Sequence, residues 1–327
     1  MRRFLVLILI LVSVSPASGG ELFVFYGSTN EAGRQYDSFA YQVEYREGMG
    51  ENGAVTVSYL NEGHVPNHHR DGLAPFTLWG RVNLLERRLS LAVGAGPYLY
   101  ADTTQMPLGL SSNKHGLGGL LGASATWYLG SRLLFQTRVN WVMTRDSIDT
   151  VTAVAGIGYQ LDTPATVGPL AKPPSQLERV TNNELTLFIG QTIVNNPGNP
   201  KSIASCVEYR RGLFPYLDVS AAWLNEGDNE LIRRNGAITQ LWLVRNFLSD
   251  HLALGGGFGA YLAVDKRGGP HPDEGGSAFA SGIMSVTASL RSFSFNPDLA
   301  VRFVMNRIVT NYSKDTDIFL FGLGYRF

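Results

Sequence analysis

One cysteine, Cys206, is all that this chain of 327 residues carries, so no disulfide framework can form within it. An excess of either charge is missing too: 27 Lys and Arg balance 27 Asp and Glu. Without a concentrated basic surface, nucleic acid is excluded as a partner. Beyond the first residues there is also no run of 18 apolar residues, so no transmembrane helix is expected and any route through a membrane must use strands.

The first nineteen residues stand apart. Arg2 and Arg3 open the chain, Phe4 to Val14 are apolar, and Ala17-Ser18-Gly19 offer a small-residue exit. This is the pattern of a secretory signal peptide over 1–19, cut after Gly19 or one residue later. Its apolar run is about eleven residues, too short for the roughly 20 that span a bilayer. No cysteine follows the cut, which rules out a lipid anchor. Losing Arg2 and Arg3 leaves 25 basic against 27 acidic residues, a formal charge of −2.

What the chain does have is repetition. Val43-Glu44-Tyr45-Arg46, Leu60-Asn61-Glu62-Gly63 and Arg70-Asp71-Gly72 return 164 residues later, without a gap, as Val207-Glu208-Tyr209-Arg210, Leu224-Asn225-Glu226-Gly227 and Arg234-Asn235-Gly236. One unit of about 140 residues is therefore written twice. The copies occupy 20–161 and 184–327, joined by a proline-rich segment over 162–183 that reads as a loose periplasmic linker.

Each copy divides into eight alternating segments near the length of a tilted membrane strand. They fall at 21–30, 38–48, 53–62, 72–84, 89–102, 116–129, 132–144 and 149–161, then 184–194, 202–213, 216–226, 236–248, 252–265, 277–290, 298–310 and 315–327. Long connections such as 28–37, 62–71 and 101–115 alternate with short ones such as 47–52 and 85–88, placing both ends of each copy in the periplasm. Phe39, Tyr41, Val43 and Tyr45 form an apolar face, opposite Gln42, Glu44 and Arg46. The expected fold is all-β: a transmembrane antiparallel β-barrel with a duplicated eight-stranded unit in the bacterial outer membrane. Glycines at inward positions (Gly94, Gly96, Gly156, Gly158, Gly257, Gly259, Gly322, Gly324) suit tight curvature. They favour two tandem eight-stranded barrels over the alternative, a single sixteen-stranded porin-type channel.

Inward charges recur in both copies: Glu44, Arg46 and Arg138, then Glu208, Arg210 and Arg302. Charges inside a membrane barrel must be paired or hydrated. They read as an ion-pair network filling the lumen, with a polar pocket or gated conduit as the sharper alternative. Glu62 with Arg70, and Glu226 with Arg234, are expected to pair and fold a loop over the barrel mouth. His64, His68 and Asp71 offer imidazole and carboxylate donors for a divalent transition metal, although the second copy has no histidine in that loop. Thr144 to Thr150 and Thr310 to Asp317 mix carboxylates with hydroxyls. Those runs suit calcium or cation-bridged lipopolysaccharide phosphates, or a tight hairpin with side-chain-to-backbone bonds.

Two glycine-aromatic strands close the copies, Ala155-Gly156-Ile157-Gly158-Tyr159-Gln160-Leu161 and Phe321-Gly322-Leu323-Gly324-Tyr325-Arg326-Phe327. The second resembles the terminal strand signature of bacterial outer-membrane β-barrels. Residues 89–102 and 300–327 resemble later strands of the acyloxyacyl-hydrolase (lipid A deacylase) group, one eight-stranded unit at a time. That group implies a His-x-Ser-Asn motif shortly after an arginine, which supplies a nucleophile with its base. Here Arg138 leads to Val139-Asn140-Trp141 and Arg302 to Phe303-Val304-Met305-Asn306, so no catalytic residue is assigned. The expected role is an integral outer-membrane barrel with structural, surface-binding or limited small-molecule passage duties. A lipid A-modifying enzyme and a wide porin are the alternatives. Expected partners are outer-membrane lipids, lipopolysaccharide and the outer-membrane assembly machinery. No cofactor is called for, and the small-molecule ligand is unknown.

Overall fold

The computed structural model describes residues 18–32, 37–65, 68–105, 111–130, 132–164, 166–170, 179–196, 198–267 and 277–327. The signal-peptide expectation falls almost wholly on residues 1–17, outside the described residues. The first barrel runs through β1 (Ser18–Glu31), β2 (Asp37–Met49), β3 (Gly53–Val65), β4 (His68–Leu84), β5 (Leu89–Gln105), β6 (Ser111–Tyr128), β7 (Leu133–Met143) and β8 (Thr150–Gln160). The second comprises β9 (Asn183–Val194), β10 (Lys201–Phe214), β11 (Leu217–Asp228), β12 (Arg233–Phe247), β13 (Leu252–Asp265), β14 (Ser277–Leu290), β15 (Leu299–Val309) and β16 (Thr316–Arg326).

Each set closes on itself. β1 pairs with β2 and with β8, running in register from Glu21↔Gln160 to Glu31↔Thr150. β9 pairs with β10 and with β16, from Thr316↔Val194 to Arg326↔Glu184. Two closed antiparallel barrels of eight strands therefore follow one another along the chain. The single sixteen-stranded ring does not form, because β8 spends its free edge on β1. Closure removes every unpaired strand edge, which a bilayer interior demands.

Alternation sorts the side chains. On β7, Leu133, Phe135, Val139 and Trp141 are exposed on the outer wall, while Leu134, Gln136, Arg138, Asn140 and Val142 are buried inside. The outer wall of both barrels is apolar: Val24, Val57, Leu78, Val82 and Val93 in the first, Leu187, Ile189, Trp223, Leu241 and Phe321 in the second.

Two expectations need correction. The segment 62–71 is not a long loop: β3 continues to Val65 and β4 starts at His68, so Glu62, His64, His68, Arg70 and Asp71 all lie on strands. A bulge makes this possible. Pairing shifts between Asn61 and His64, where Gly63 adopts a φ of 65° and a Cβ would collide with the Phe39 carbonyl oxygen. Nor is the linker loose at its ends. Arg87 donates to the Thr166 hydroxyl (3.0 Å) and the Pro169 carbonyl (2.5 Å), Gln160 donates to the Gly168 carbonyl (3.0 Å), and Val167 packs against a cluster with Phe23, Phe25 and Leu134. Those contacts seat Thr166 to Pro169 in the turn end of the first barrel. At the turn end of the second, buried Val180 joins the core and its carbonyl accepts from Arg291 (2.7 Å). Burial holds that guanidinium below the ordinary arginine range, at about 10. Pro173 and Pro174 lie outside the described residues.

Candidate functional site: charged layers and the loop end

Each lumen carries a charged layer nearer the turns and another nearer the loops. In the turn-side layer of the first barrel, Arg138 clasps Glu44 with both terminal nitrogens, one bond measuring 2.6 Å. Arg46 adds a bond to the same carboxylate at 3.1 Å, donates to Gln136 Oε1 at 2.8 Å and lies 3.6 Å from Glu21. Tyr128 donates to Glu21 (3.2 Å). The guanidiniums stack on rings: Arg46 lies 4.6 Å from the Phe23 centroid, and Arg138 lies between Trp79 (4.6 Å) and Phe25 (5.0 Å). Such pairing and stacking hold buried charge that would otherwise be costly.

Inward glycines explain where those rings fit. A Cβ at Gly94 or Gly122 would strike the Trp79 indole, and one at Gly158 would strike the Phe23 ring. Gly257 repeats the arrangement under Trp242, and Gly322 under Phe188. The glycines are ring seats as well as points of curvature. Trp79 also donates its indole N–H to Thr56 (3.0 Å), and Trp242 donates to Ser220 (2.9 Å).

The second barrel reaches the same outcome from a different place. Arg302 donates to Glu208 and Glu184, both at 2.9 Å, and Arg210 donates to Glu208 at 3.1 Å. Arg210 sits 3.9 Å over Trp242. A constant offset of 164 aligns Arg138 with Arg302, but strand pairing does not. Arg138 pairs with Val154 and Ser124, whereas Arg302 pairs with Gly322 and Ser289. Across the closing hairpins the two copies match at an offset of 166, as Thr144 N→Asp149 Oδ1 and Thr310 N→Asp315 Oδ1 (both 2.8 Å) show. Arg302 therefore occupies the place of Gln136, and Val304 the place of Arg138. Glu21, Glu184, Trp79 and Trp242 complete the layers and were missed by the sequence reading. Their shared offset of 163 was the available signal.

The loop-side layer contains the pairs expected at the mouth, placed inside the barrel rather than on a loop. Arg70 bonds Glu62 at 2.5 and 2.9 Å and Thr150 at 2.6 Å, and Tyr98 donates to Glu62 at 3.1 Å. Arg234 bonds Glu226 at 2.8 and 2.6 Å, Thr316 at 2.9 Å and the Lys314 carbonyl at 2.9 Å. Fully buried, each pair ties β3 and β4, or β11 and β12, to the strand that closes its barrel. Between its charged layers the second barrel is largely apolar: Cys206, Leu224, Val304, Ile308, Ile318 and Leu320 form one buried cluster with Phe188 and Trp242, crossed by a hydrogen-bonded strip in which Gln240 donates to Ser285 (2.7 Å) and Ser285 to Asn306 (2.6 Å).

His64, His68 and Asp71 are not brought together. His64 is exposed on the outer wall, and Asp71 accepts from Tyr59 (2.8 Å). His68 turns inward to Asp102 (Nδ1 to Oδ2, 2.7 Å). Among the described residues no three His, Cys, Asp or Glu side chains gather in ligand range. Ser147 donates to the same Asp102 oxygen at 2.7 Å. The carboxylate thus sits between serine and histidine, an order unlike that of a nucleophile with its base. The 144–150 and 310–317 connections are tied by hydrogen bonds: Thr144 and Thr310 donate from the backbone to Asp149 and Asp315, and Thr144 Oγ1 donates to the Ile148 carbonyl (3.1 Å).

No protein-family model and no curated protein matches the chain. Solved structures do. The N-terminal β-barrel domain of Pseudomonas aeruginosa OprF is 11% identical over 44% of this chain and 98% of its own, with a TM-score of 0.36. Neisserial surface protein A (NspA) is 12% identical over 45% and 99%, at 0.36. An outer membrane channel from Pseudomonas putida F1 is 14% identical over 95% of each chain, at 0.23. None of these likenesses carries the assignment, which rests on closure and burial. A closed barrel with an apolar outer wall and its charges enclosed is built to span a bilayer, and the bacterial outer membrane is where such barrels reside. In fold the chain is a tandem pair of outer-membrane-type β-barrels.

Proposed function

We propose that the chain is a non-conducting outer-membrane protein whose two plugged barrels hold their loop-end hairpins at the cell surface for structure and binding. The observation that carries this reading is the turn-side layer, where Glu44, Arg46 and Arg138 are at most 4% exposed and interlock with Phe23, Phe25 and Trp79. Eight strands leave an interior just wide enough for side chains to fill. The seated linker ends support closure at the turn end, which on this reading is periplasmic. Lipids and lipopolysaccharide surround the apolar walls, and the outer-membrane assembly machinery inserts them. Planar-bilayer recording of the purified full chain tests the proposal. It expects no unitary steps, and regular large openings would sink it.

Limited passage through the first barrel is a second reading, favoured by buried polar atoms without a protein partner there: Gln42 Nε2, Asn140 Oδ1, Ser124 Oγ and Thr77 Oγ1. An envelope-lipid hydrolase of the lipid A deacylase type finds support only in the Ser147–Asp102–His68 cluster. For hydrolysis Ser147 would have to leave Asp102 and bond His68 directly. Mass spectrometry of lipid A from expressing cells separates that reading from the others.

A further inference from the structure

At the loop end of the first barrel two imidazoles face one another across the β3–β4 hairpin. His64 and His69 are register partners, with ring centroids 4.5 Å apart and planes inclined by 31°. His64 is exposed and His69 partly so, both on the outer wall. With a strand rise of about 3.3 Å per residue and a tilt near 40°, His64 stands roughly 28 Å above Gly53, beyond an apolar band about 25 Å tall. The pair therefore sits at the aqueous rim, in reach of dissolved ions.

The surroundings fix the geometry. The His64 backbone N–H donates to Ser38 Oγ (2.7 Å), and the Phe39 ring meets the His64 ring edge-on at 6.2 Å. His69 Nε2 is 3.5 Å from Asn61 Nδ2, at the long limit of a hydrogen bond. Opposed side chains on antiparallel strands have Cβ atoms about 4.5–5.5 Å apart. Two imidazoles sharing one ion at about 2.0–2.1 Å per nitrogen need ring centres near 5 Å apart. The observed spacing is within a small side-chain adjustment of that.

The second barrel supplies an internal comparison. Its matching register partners are Asp228 and Arg233, which form an ordinary ion pair (3.6 Å). The same two places thus hold complementary charges in one copy and two histidines in the other. Two histidines give no charge complementarity, and when protonated they repel as like charges across a ladder do. What they do offer is a pair of imidazole donors.

We propose that His64 and His69 form a two-histidine site for a divalent transition metal of the imidazole-preferring class, Zn²⁺, Ni²⁺ or Cu²⁺. Water fills the remaining coordination positions. Because ligating imidazole must be neutral, affinity falls on acidification.

The test is calorimetric titration of the untagged full chain in detergent micelles with NiCl₂, ZnCl₂ and CuCl₂, paired with electron paramagnetic resonance of the Cu²⁺ complex. One ion per chain is expected, with a two-nitrogen copper signature. H64A and H69A should each weaken binding by roughly tenfold or more, while H68A should leave it intact. The double variant H64D/H69R installs the second copy's ion pair and should fold, shown by a heat-modifiable gel shift, yet bind no metal. No saturable binding, loss of binding in H68A but not in H69A, or retained affinity in folded H64D/H69R would each overturn the site.

Discussion

Glu44→Gln is the sharpest probe of the lumen. The carboxylate receives both terminal nitrogens of Arg138 and one of Arg46. After substitution Arg138 faces an amide, and Arg46 keeps its bond to Gln136 (2.8 Å) but a single carboxylate, Glu21, at 3.6 Å. Removing one member of a buried ion pair costs about 3–5 kcal/mol, because the remaining charge stays desolvated. With a denaturant slope of about 1–3 kcal/mol per molar urea, the unfolding midpoint of the first barrel should fall by roughly 1–5 M. Two further variants locate the effect. Glu44→Gln with Arg138→Met removes both charges at similar volume and should recover most of the loss, since buried pairs replaced by apolar groups are often neutral. Glu208→Gln should cost less, because Arg302 retains Glu184 at 2.9 Å. The assay is urea titration of the detergent-folded chain, followed by the heat-modifiable gel band and tryptophan fluorescence. If Glu44→Gln moves the midpoint by less than about 0.3 M, equivalent to under roughly 1 kcal/mol, water solvates these charges and the plugged-lumen reasoning fails.

Gly257→Ala drives a methyl into the Trp242 ring and should cost about 1–3 kcal/mol, whereas Gly80→Ala meets nothing within 4 Å and should be neutral in the same titration. Cys206, buried in the second lumen, should resist maleimide in the folded protein and react on unfolding. Alkylation of the folded chain at the rate of a free thiol would contradict that placement. Arg87→Ala frees the Thr166 and Pro169 anchors. It should therefore raise protease cleavage in 162–170 without lowering the barrel's urea midpoint, and an unchanged cleavage pattern would count against a seated linker.

Strand count, closure into two rings and the inward placement of Glu44, Arg46 and Arg138 were legible because a two-residue period leaves each side chain only one of two faces. The exceptions have local causes. Strands run past their apolar stretch into polar sequence at the loop end, so hydropathy stopped β3 at Glu62 while backbone pairing carried it through Gly63 to Val65. The β4 irregularity between Leu73 and Leu78 changes which parity faces inward, bringing Trp79 and Arg81 into the lumen. Across that shift the repeat offset drops from 164 to 163, and a reading held to 164 does not match Trp79 with Trp242. His68 and His69 are neighbours in sequence but lie on opposite sides of the wall, a separation that a reading of the segment as a loop cannot contain.

The non-equivalent arginines have a consequence for how the halves could be recombined. Transplanting β15 in place of β7 would carry a guanidinium to Gln136's address and leave valine opposite Ser124. Glu44 would then meet its cation from a different height, with the Trp79–Phe25 slot vacant. A two-residue difference in offset within one hairpin thus leaves each closing strand fitted to its own lumen and not to the other.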